Sequence, residues 1–463
     1  MNKKTMAVIL AVVVVCVAAL GIYPVVKNNM ITKDPINHIM HSSIKTGKET
    51  NANATVSITA ELDEKLALEQ GAFDYMSQDP EAMAKFANSL IKKFEILYDI
   101  NMITEEGNEL FKMDAGLGMN YNGKTLIDGK FYLKPWELGI ELPKLYKKSL
   151  YVDINEVLKE EGYDYNLNDI DFKAYLDLIR KEDDLYKAVV KNYQPYKQVI
   201  YDYLQGKVEK LDGDNTIALN VYGEQKEMKV TKYKLNINIV DIYDVYADIL
   251  EIAKKDAAVK ALVEARVKEF KDLVIKNKDY EKFGLTEEEF NEGIKEMEDE
   301  IANNWEKGID EVISEFKSIP SQPEFAALKK YDSNCIIAID KEHIMRQIEL
   351  GMQSEFIKIK EVVSYNAFGK DVKVSTPKEE SDKVNLMKLK DDEALTQEIA
   401  QEVIKNLGSE LFGGEAVEAL VSDIKEEAKV LPAEESEQII NNIDGMINQI
   451  QMTLPFMLNG LGI

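Results

Sequence analysis

The feature that most limits the fold is a period-two alternation of apolar and polar residues along the first half of the chain. In Phe94–Met102 every second residue is apolar, and the residues between them are mostly polar. The alternation returns in Phe111–Tyr121, and Asn122-Gly123 follows as a two-residue hairpin turn, because both residues tolerate positive φ. Successive side chains of a strand point to opposite faces, so the pattern predicts antiparallel sheet with one apolar and one polar face.

Other segments carry apolar residues at helical spacing. Asp34 and Pro35 predict a helix start and Gly47 its end. Thr286 predicts another helix start, because Glu289 three residues later can complete a capping box. Longer helical inserts are expected at about 155–205 and 242–318, and helices return from about 393 to the end of the chain. Asp128-Gly129 is interpreted as a second turn after the hairpin. Strands and helices in separate runs predict the α+β class, with an antiparallel sheet packed on helices.

The N-terminus predicts a transmembrane helix. Two lysines precede the 22 uncharged and mostly apolar residues Thr5–Val26, which as a helix span about 33 Å, enough for a bilayer core. The lysines predict a cytoplasmic N-terminus. An uncleaved signal-anchor is favoured over lipidation at Cys16, which follows the bulky Val15, and over cleavage near Ala19 and Gly21. All three interpretations place the body outside the cytoplasmic membrane.

The charge balance excludes some partners. The net charge of −26 arises from 57 Lys and Arg residues against 83 Asp and Glu residues. Nucleic-acid binding needs a basic surface that displaces counterions, so no nucleic-acid partner is expected. Arginine is the usual side chain of bidentate phosphate clamps, and the chain has only Arg180, Arg266 and Arg346. A phosphoryl-handling site is therefore not predicted.

No residue pattern predicts catalysis or a metal centre. His38 and His41 have a spacing at which two imidazoles can share a metal on one helix face. The chain has no HExxH or CxxC pattern, and His343 is its only other histidine. We therefore expect solvent-facing histidines on an amphipathic helix, with no catalytic residue, no metal and no cofactor. Cys335 alternates with apolar residues and is predicted to be buried in a strand.

The apolar side of the predicted strands is rich in methionine and aromatic residues. Methionine adapts to irregular apolar shapes, so this side is a candidate ligand-binding surface. Ordinary core packing under the helices is the alternative. The candidate ligand-facing residues are Tyr98, Met102, Met113, Met119, Tyr121 and Phe131.

Val362–Glu380 resembles the terminal strand pair of LolA/LppX-type lipoprotein carriers and lipid-binding lipoproteins. The opening at 34–62 is similar to the helix-then-strand start of that group, and Ile140–Gly162 looks like a segment of uncharacterised membrane-anchored proteins of Gram-positive bacteria. The resemblance implies a curved, half-barrel-like antiparallel sheet around helices, with a hollow that can hold an acyl chain. The matching terminal positions are Tyr365, Phe368, Gly369, Val372, Val374 and Pro377.

These patterns predict a signal-anchor over 1–29, an α+β ectodomain over 30–390 and a C-terminal helical region over 391–463. A division of the ectodomain into two halves near residue 250 stays open. The expected function is non-enzymatic binding of a lipid, another apolar ligand or an envelope protein, by a single-pass protein of the bacterial cell membrane. The alternatives are a structural or interaction protein of the cell surface with a filled core, in which the helices around Trp305 contact a partner, and a hydrolase with paired carboxylates.

Overall fold

The computed structural model describes residues 33–106, 109–162, 166–213, 215–282, 284–326, 333–377 and 380–460. The predicted signal-anchor and Cys16 lie outside these residues. Across the described ranges, no helix combines the length and the apolar character that a membrane crossing requires.

Within the described residues the helices lie in five groups along the chain: one before the first strand, two between the first two strands, four short ones after the first meander, a long central group and a C-terminal group. Their bounds are α1 Pro35–Gly47, α2 Glu64–Glu69, α3 Pro80–Ile91, α4 Ile154–Glu160, α5 Phe172–Ile179, α6 Asp184–Lys191, α7 Gln194–Leu204, α8 Ile242–Lys255, α9 Ala257–Asn277, α10 Asp279–Lys282, α11 Glu287–Ser318, α12 Pro323–Ala326, α13 Glu393–Asn406, α14 Glu415–Glu427 and α15 Ala433–Gly460.

The strands form one large sheet and one separate hairpin. Their bounds are β1 Asn51–Leu62, β2 Phe94–Glu106, β3 Glu109–Tyr121, β4 Lys124–Lys134, β5 Glu137–Leu142, β6 Tyr146–Asp153, β7 Val208–Lys210, β8 Thr216–Val221, β9 Glu224–Lys229, β10 Thr231–Ile237, β11 Ser333–Ile339, β12 Met345–Ser354, β13 Ile357–Phe368 and β14 Lys383–Asn385.

The large sheet is open and mostly antiparallel. Its strand order is β14-β6-β5-β4-β3-β2-β1-β13-β12-β11-β10-β7, and β8 pairs with β9 alone. The short β14 runs parallel to β6, whereas the neighbouring ladders β6–β5 and β5–β4 are antiparallel. The predicted α+β class with a large antiparallel sheet and helices is thus confirmed.

The chain divides into two compact units. Among the described residues, unit 1 comprises 33–50, 106–110 and 158–349, and unit 2 comprises 51–105, 111–157 and 350–460. The core of unit 1 is a helical cluster from α6, α7, α8, α9 and α11. In it Trp305 is buried, and its indole N–H donates to the Lys254 carbonyl over 3.0 Å. Trp305 is therefore a core residue of the bundle.

Polar side chains start several of these helices. The Asp34 carboxylate accepts the backbone N–H groups of Ile36 and Asn37 at the start of α1, with Pro35 in the first turn. Thr286 begins α11 with the capping box predicted from its spacing to Glu289. Both helix starts were predicted correctly, because each cap is a local interaction.

Two local predictions were wrong. Gly129 lies inside β4 and does not form a turn, because Lys124–Lys134 pairs without a break in chain direction. The histidine prediction fails for His38, whose exposure is 3%. Its side of α1 also carries the buried Ile39 and Ser42, so this face packs inward. Cys335 is buried in β11 as predicted, and burial raises the pKa of its thiol to about 11.

Candidate functional site

The strand register of unit 2 places most of its large apolar side chains on one side of the sheet. Directly opposed residues of an antiparallel ladder point to the same face. Met119 lies opposite Ile127 in the β3–β4 ladder, and Phe131 lies opposite Ile140 in the β4–β5 ladder. We call this side the apolar face, and on β2 to β5 it carries Tyr98, Ile100, Met102, Met113, Ala115, Leu117, Met119, Tyr121, Ile127, Phe131, Leu133, Leu138 and Ile140.

The opposite side of the same strands holds a chain of polar side chains. The Asn53 amide donates to Asp99 and to Asn101, each over 2.8 Å. The Asn101 amide donates to one oxygen of Asp114 over 2.8 Å, and the backbone N–H of Ser375 donates to the other. Both oxygens of the buried Asp114 carboxylate are thus occupied, one by the Asn101 side chain and one by the Ser375 backbone, which is a structural role.

Large side chains on the apolar face are open to solvent. Leu117 is 47% exposed, Ile127 40%, and Met119, Leu138 and Ile140 are each 38% exposed. They come from three adjacent strands, so they form one patch and are not scattered surface residues. Adjacent apolar exposure of this kind marks binding surfaces for apolar ligands or proteins.

The structure brings the six predicted ligand-facing residues to this one face. Tyr98, Met102, Met113 and Phe131 are half-buried. Met119 belongs to the exposed patch, whereas Tyr121 is fully buried. The set thus contains surface, intermediate and core positions of a single face.

Tyr121 is covered by helix α14. Its hydroxyl donates to Asp423 over 3.0 Å, and Lys93 donates to Asp423 and to Glu427 over 2.9 and 3.0 Å. Burial, followed by the hydrogen bond to Asp423, raises the pKa of Tyr121. The hydrogen bond from Lys93 in turn keeps the pKa of Asp423 below its ordinary value. This cluster joins α14 to one end of the apolar face.

Helix α13 reaches the sheet at β6. The Asn406 amide donates to the Leu145 carbonyl over 3.0 Å, and the Glu402 carboxylate accepts the backbone N–H of Lys147 over 3.3 Å. Tyr146, between these two backbone contacts, is 2% exposed. The C-terminal helices therefore contact the sheet of unit 2 through polar side chains at β6 and at Tyr121. The patch residues stay accessible to solvent.

Four patch residues were missing from the predicted site. Ile127 was overlooked because Asp128-Gly129 was interpreted as a turn. Leu138 and Ile140 lie in β5, a strand of six residues. The signal that predicts this strand is the short alternation of apolar residues between Glu137 and Glu141. Leu117 shares the alternation of Met113 and Met119, and this alternation is the signal that places it on the same face.

The patch offers chemistry for association only, since its side chains carry no group that ionises or attacks. Among the described residues, no group of three or more histidine, cysteine or acidic side chains has an arrangement that could hold a metal ion. In the comparisons with known proteins, no protein-family model, no curated protein and no solved structure matches this chain.

Proposed function

We propose that this chain is a non-enzymatic binding protein that takes an apolar ligand, such as an acyl chain, on the apolar face of unit 2. The observation that carries the proposal is the patch of five adjacent side chains, each between 38% and 47% exposed. A half-barrel-like curvature of the sheet would fit the same function. The resemblance of Val362–Glu380 to lipid-binding lipoproteins is consistent with this ligand class.

The energetics favour a ligand with a long apolar surface. Full burial of a leucine or isoleucine side chain contributes about 1.5–3 kcal/mol, so covering the exposed part of each patch residue contributes on the order of 1 kcal/mol. One small contact would therefore bind weakly. A ligand that touches all five side chains gains on the order of 5 kcal/mol before the cost of association, which makes a linear or extended ligand the best fit.

The proposal also includes location: a single-pass anchor at residues 1–29 with the rest of the chain outside the cytoplasm. It rests on the 22 uncharged residues Thr5–Val26 after two lysines. Protease added to intact cells is expected to digest the chain after the anchor, and full protection would contradict this location. If the chain is labelled by palmitate and Cys16→Ser abolishes the label, the anchor is lipidated, and the compartment stays the same.

The binding test uses the full chain in phosphatidylcholine nanodiscs with a palmitic acid that carries a diazirine. After irradiation, labelled peptides are identified by mass spectrometry. We expect label on the peptides of β3, β4 and β5. A Leu117→Glu/Ile140→Glu variant should lose at least about tenfold of this label, because each carboxylate must be desolvated when the chain binds.

The matched control is Ile179→Glu/Leu185→Glu, at positions 49% and 36% exposed on helices of unit 1. It introduces the same charges into equally accessible apolar residues, and we expect it to label like the natural sequence. Absence of label from β3–β5, or equal label in both variants, would show that the apolar face does not bind the fatty acid.

A further inference from the structure

The three histidines of the chain, two on α1 and one in the turn between β11 and β12, meet in unit 1 although His343 is about 300 residues away in sequence. His38 Nε2 lies 2.9 Å from His343 Nδ1, and His38 Nδ1 lies 2.7 Å from the Tyr233 hydroxyl. The rings of His41 and His343 are in edge contact with centroids 5.7 Å apart. One helix, one strand and one turn are thus joined through a buried imidazole.

The contact between His38 and His343 can hold only one proton. Between His38 Nε2 and His343 Nδ1 there is room for one proton, because one nitrogen must donate and the other accept. With both rings neutral, or with one ring charged, a single N–H still lies between them. Protonation of both rings places two N–H groups face to face at 2.9 Å and two positive charges in contact. The second proton therefore breaks the hydrogen bond.

The surroundings oppose positive charge on the rings. Burial lowers the pKa of His38 to about 4, helped by the charges of His343, His41 and Lys210. Burial, His343 and Lys45 lower the pKa of His41. On the cluster's own helix and on β7, the neighbouring charged side chains are thus lysines.

The neighbouring carboxylates already hold other groups. Asp34 caps α1 and accepts the hydroxyl of Tyr201 from α7 over 3.0 Å. In the β11–β12 turn, Asp340 accepts two backbone N–H groups and the Arg346 guanidinium. Glu342 pairs with Lys341 at 3.4 Å. Each of these carboxylates would have to leave a partner to compensate an imidazolium.

We propose that the His38–His343 hydrogen bond is an acid-sensitive latch that holds α1 on β10 and on the β11–β12 turn at neutral pH and releases the helix on acidification. The latch acts on the segment that leads directly from the predicted anchor into unit 1. It is independent of ligand binding on the apolar face.

Hydrogen–deuterium exchange of the full chain at pH 7.5 and pH 5.0, with EDTA present, tests the latch. Rates are corrected for the intrinsic effect of pH. For a histidine with a pKa of about 4 in place and 6.5 when released, the protection of the α1 amides should fall about 30-fold between these pH values. Helix α3 of unit 2, which contains no histidine, is the internal control and should keep its protection.

Three variants identify the source of the effect. His38→Gln keeps a hydrogen-bonding side chain without a titrating ring, and should reduce the loss of protection to less than about threefold. His343→Asn should also reduce the loss, because an amide can accept from a protonated His38; asparagine tolerates the positive φ of 62° at this position. His41→Gln, outside the hydrogen bond, should retain most of the loss.

If His38→Gln releases α1 already at pH 7.5, the His343→Asn variant decides the outcome. Unchanged α1 protection at pH 5.0 in the natural sequence would overturn the latch. An equal acid-induced loss in the natural sequence and in His343→Asn would overturn it as well.

Discussion

At the residue scale, close packing in unit 2 is most restrictive at Gly139 in β5. A β-carbon at this position would overlap two ring carbons and the hydroxyl oxygen of Tyr132, and Tyr132 is itself fully buried. The ring occupies the space that a side chain on β5 would take. A glycine is needed here because no space is left for a side chain. Backbone conformation is not the reason, since the φ of Gly139 is not in the left-handed region.

We predict that Gly139→Ala lowers the free energy of unfolding by about 1–3 kcal/mol, because overpacking moves a buried ring or the strand. Urea unfolding followed by circular dichroism measures the change. The control is Gly118→Ala in β3, where the nearest atoms lie 4.0 Å from the added β-carbon. This control should change stability by less than about 0.5 kcal/mol, and an equal loss in both variants would contradict the packing explanation.

His38 predicts a pH dependence of stability. Its pKa is about 4 in the folded chain against 6.5 for an ordinary histidine, so the unfolded chain binds more protons between these values. Stability therefore falls as pH decreases from about 7 to about 4, and His38 accounts for about 2 kcal/mol of that loss at pH 5.

Urea unfolding at pH 7.5 and 5.0 measures this contribution as the difference between the natural sequence and His38→Gln. The variant should lose less stability on acidification by about 2 kcal/mol. The comparison cancels the carboxylates, which titrate in both proteins. An equal pH dependence in the two proteins would show that the burial of His38 does not disfavour its charged form.

At the element scale, the same substitution should have opposite effects at two glycines. Gly123 occupies the predicted hairpin turn with φ of +76°, after Asn122 with φ of +49°. Gly293 lies inside α11, and nothing approaches its β-carbon position within 4 Å. Gly123→Ala should cost about 1–2 kcal/mol, whereas Gly293→Ala should stabilise by about 0.5–1 kcal/mol. Thermal unfolding of both variants checks the signs, and a stabilising Gly123→Ala would exclude the left-handed turn.

Local chemistry made several elements predictable. Caps, hairpin turns and alternation depend on residues within a few positions of each other, so α1, α11 and the β3–β4 hairpin were recognised. The turn predicted at Gly129 was wrong because a glycine within a strand has the same sequence signal as a turn residue. Here the glycine makes room for the Leu142 side chain, which lies 3.1 Å from its β-carbon position. The helical insert expected at about 242–318 is broken at Asp256, whose side chain caps α9 and accepts the Tyr196 hydroxyl.

At the scale of the whole molecule, strand order was beyond prediction. Asn51–Leu62 pairs with Ile357–Phe368, and alternation identifies both strands without saying which neighbour each one takes. The meeting of His38 with His343 has the same origin, because only the folded sheet brings the β11–β12 turn to α1. Alternation predicts which residues share the apolar face. It does not predict which of them are exposed, because the exposure of the patch depends on where α13 and α14 contact the strands.

The net charge of −26 predicts how an apolar ligand reaches the patch. An acidic body is repelled by an anionic lipid surface, and salt screens this repulsion with a Debye length of about 10 Å at 0.1 M.

Transfer of a fluorescent fatty acid from phosphatidylcholine vesicles to the full chain in nanodiscs should be insensitive to NaCl. Transfer from vesicles rich in phosphatidylglycerol should be slow in 10 mM NaCl and several-fold faster in 300 mM NaCl. Leu117→Glu/Ile140→Glu, which lacks the binding patch, separates transfer to the protein from transfer to the nanodisc lipid. If salt accelerates transfer from both vesicle types equally, charge repulsion is not what controls the approach.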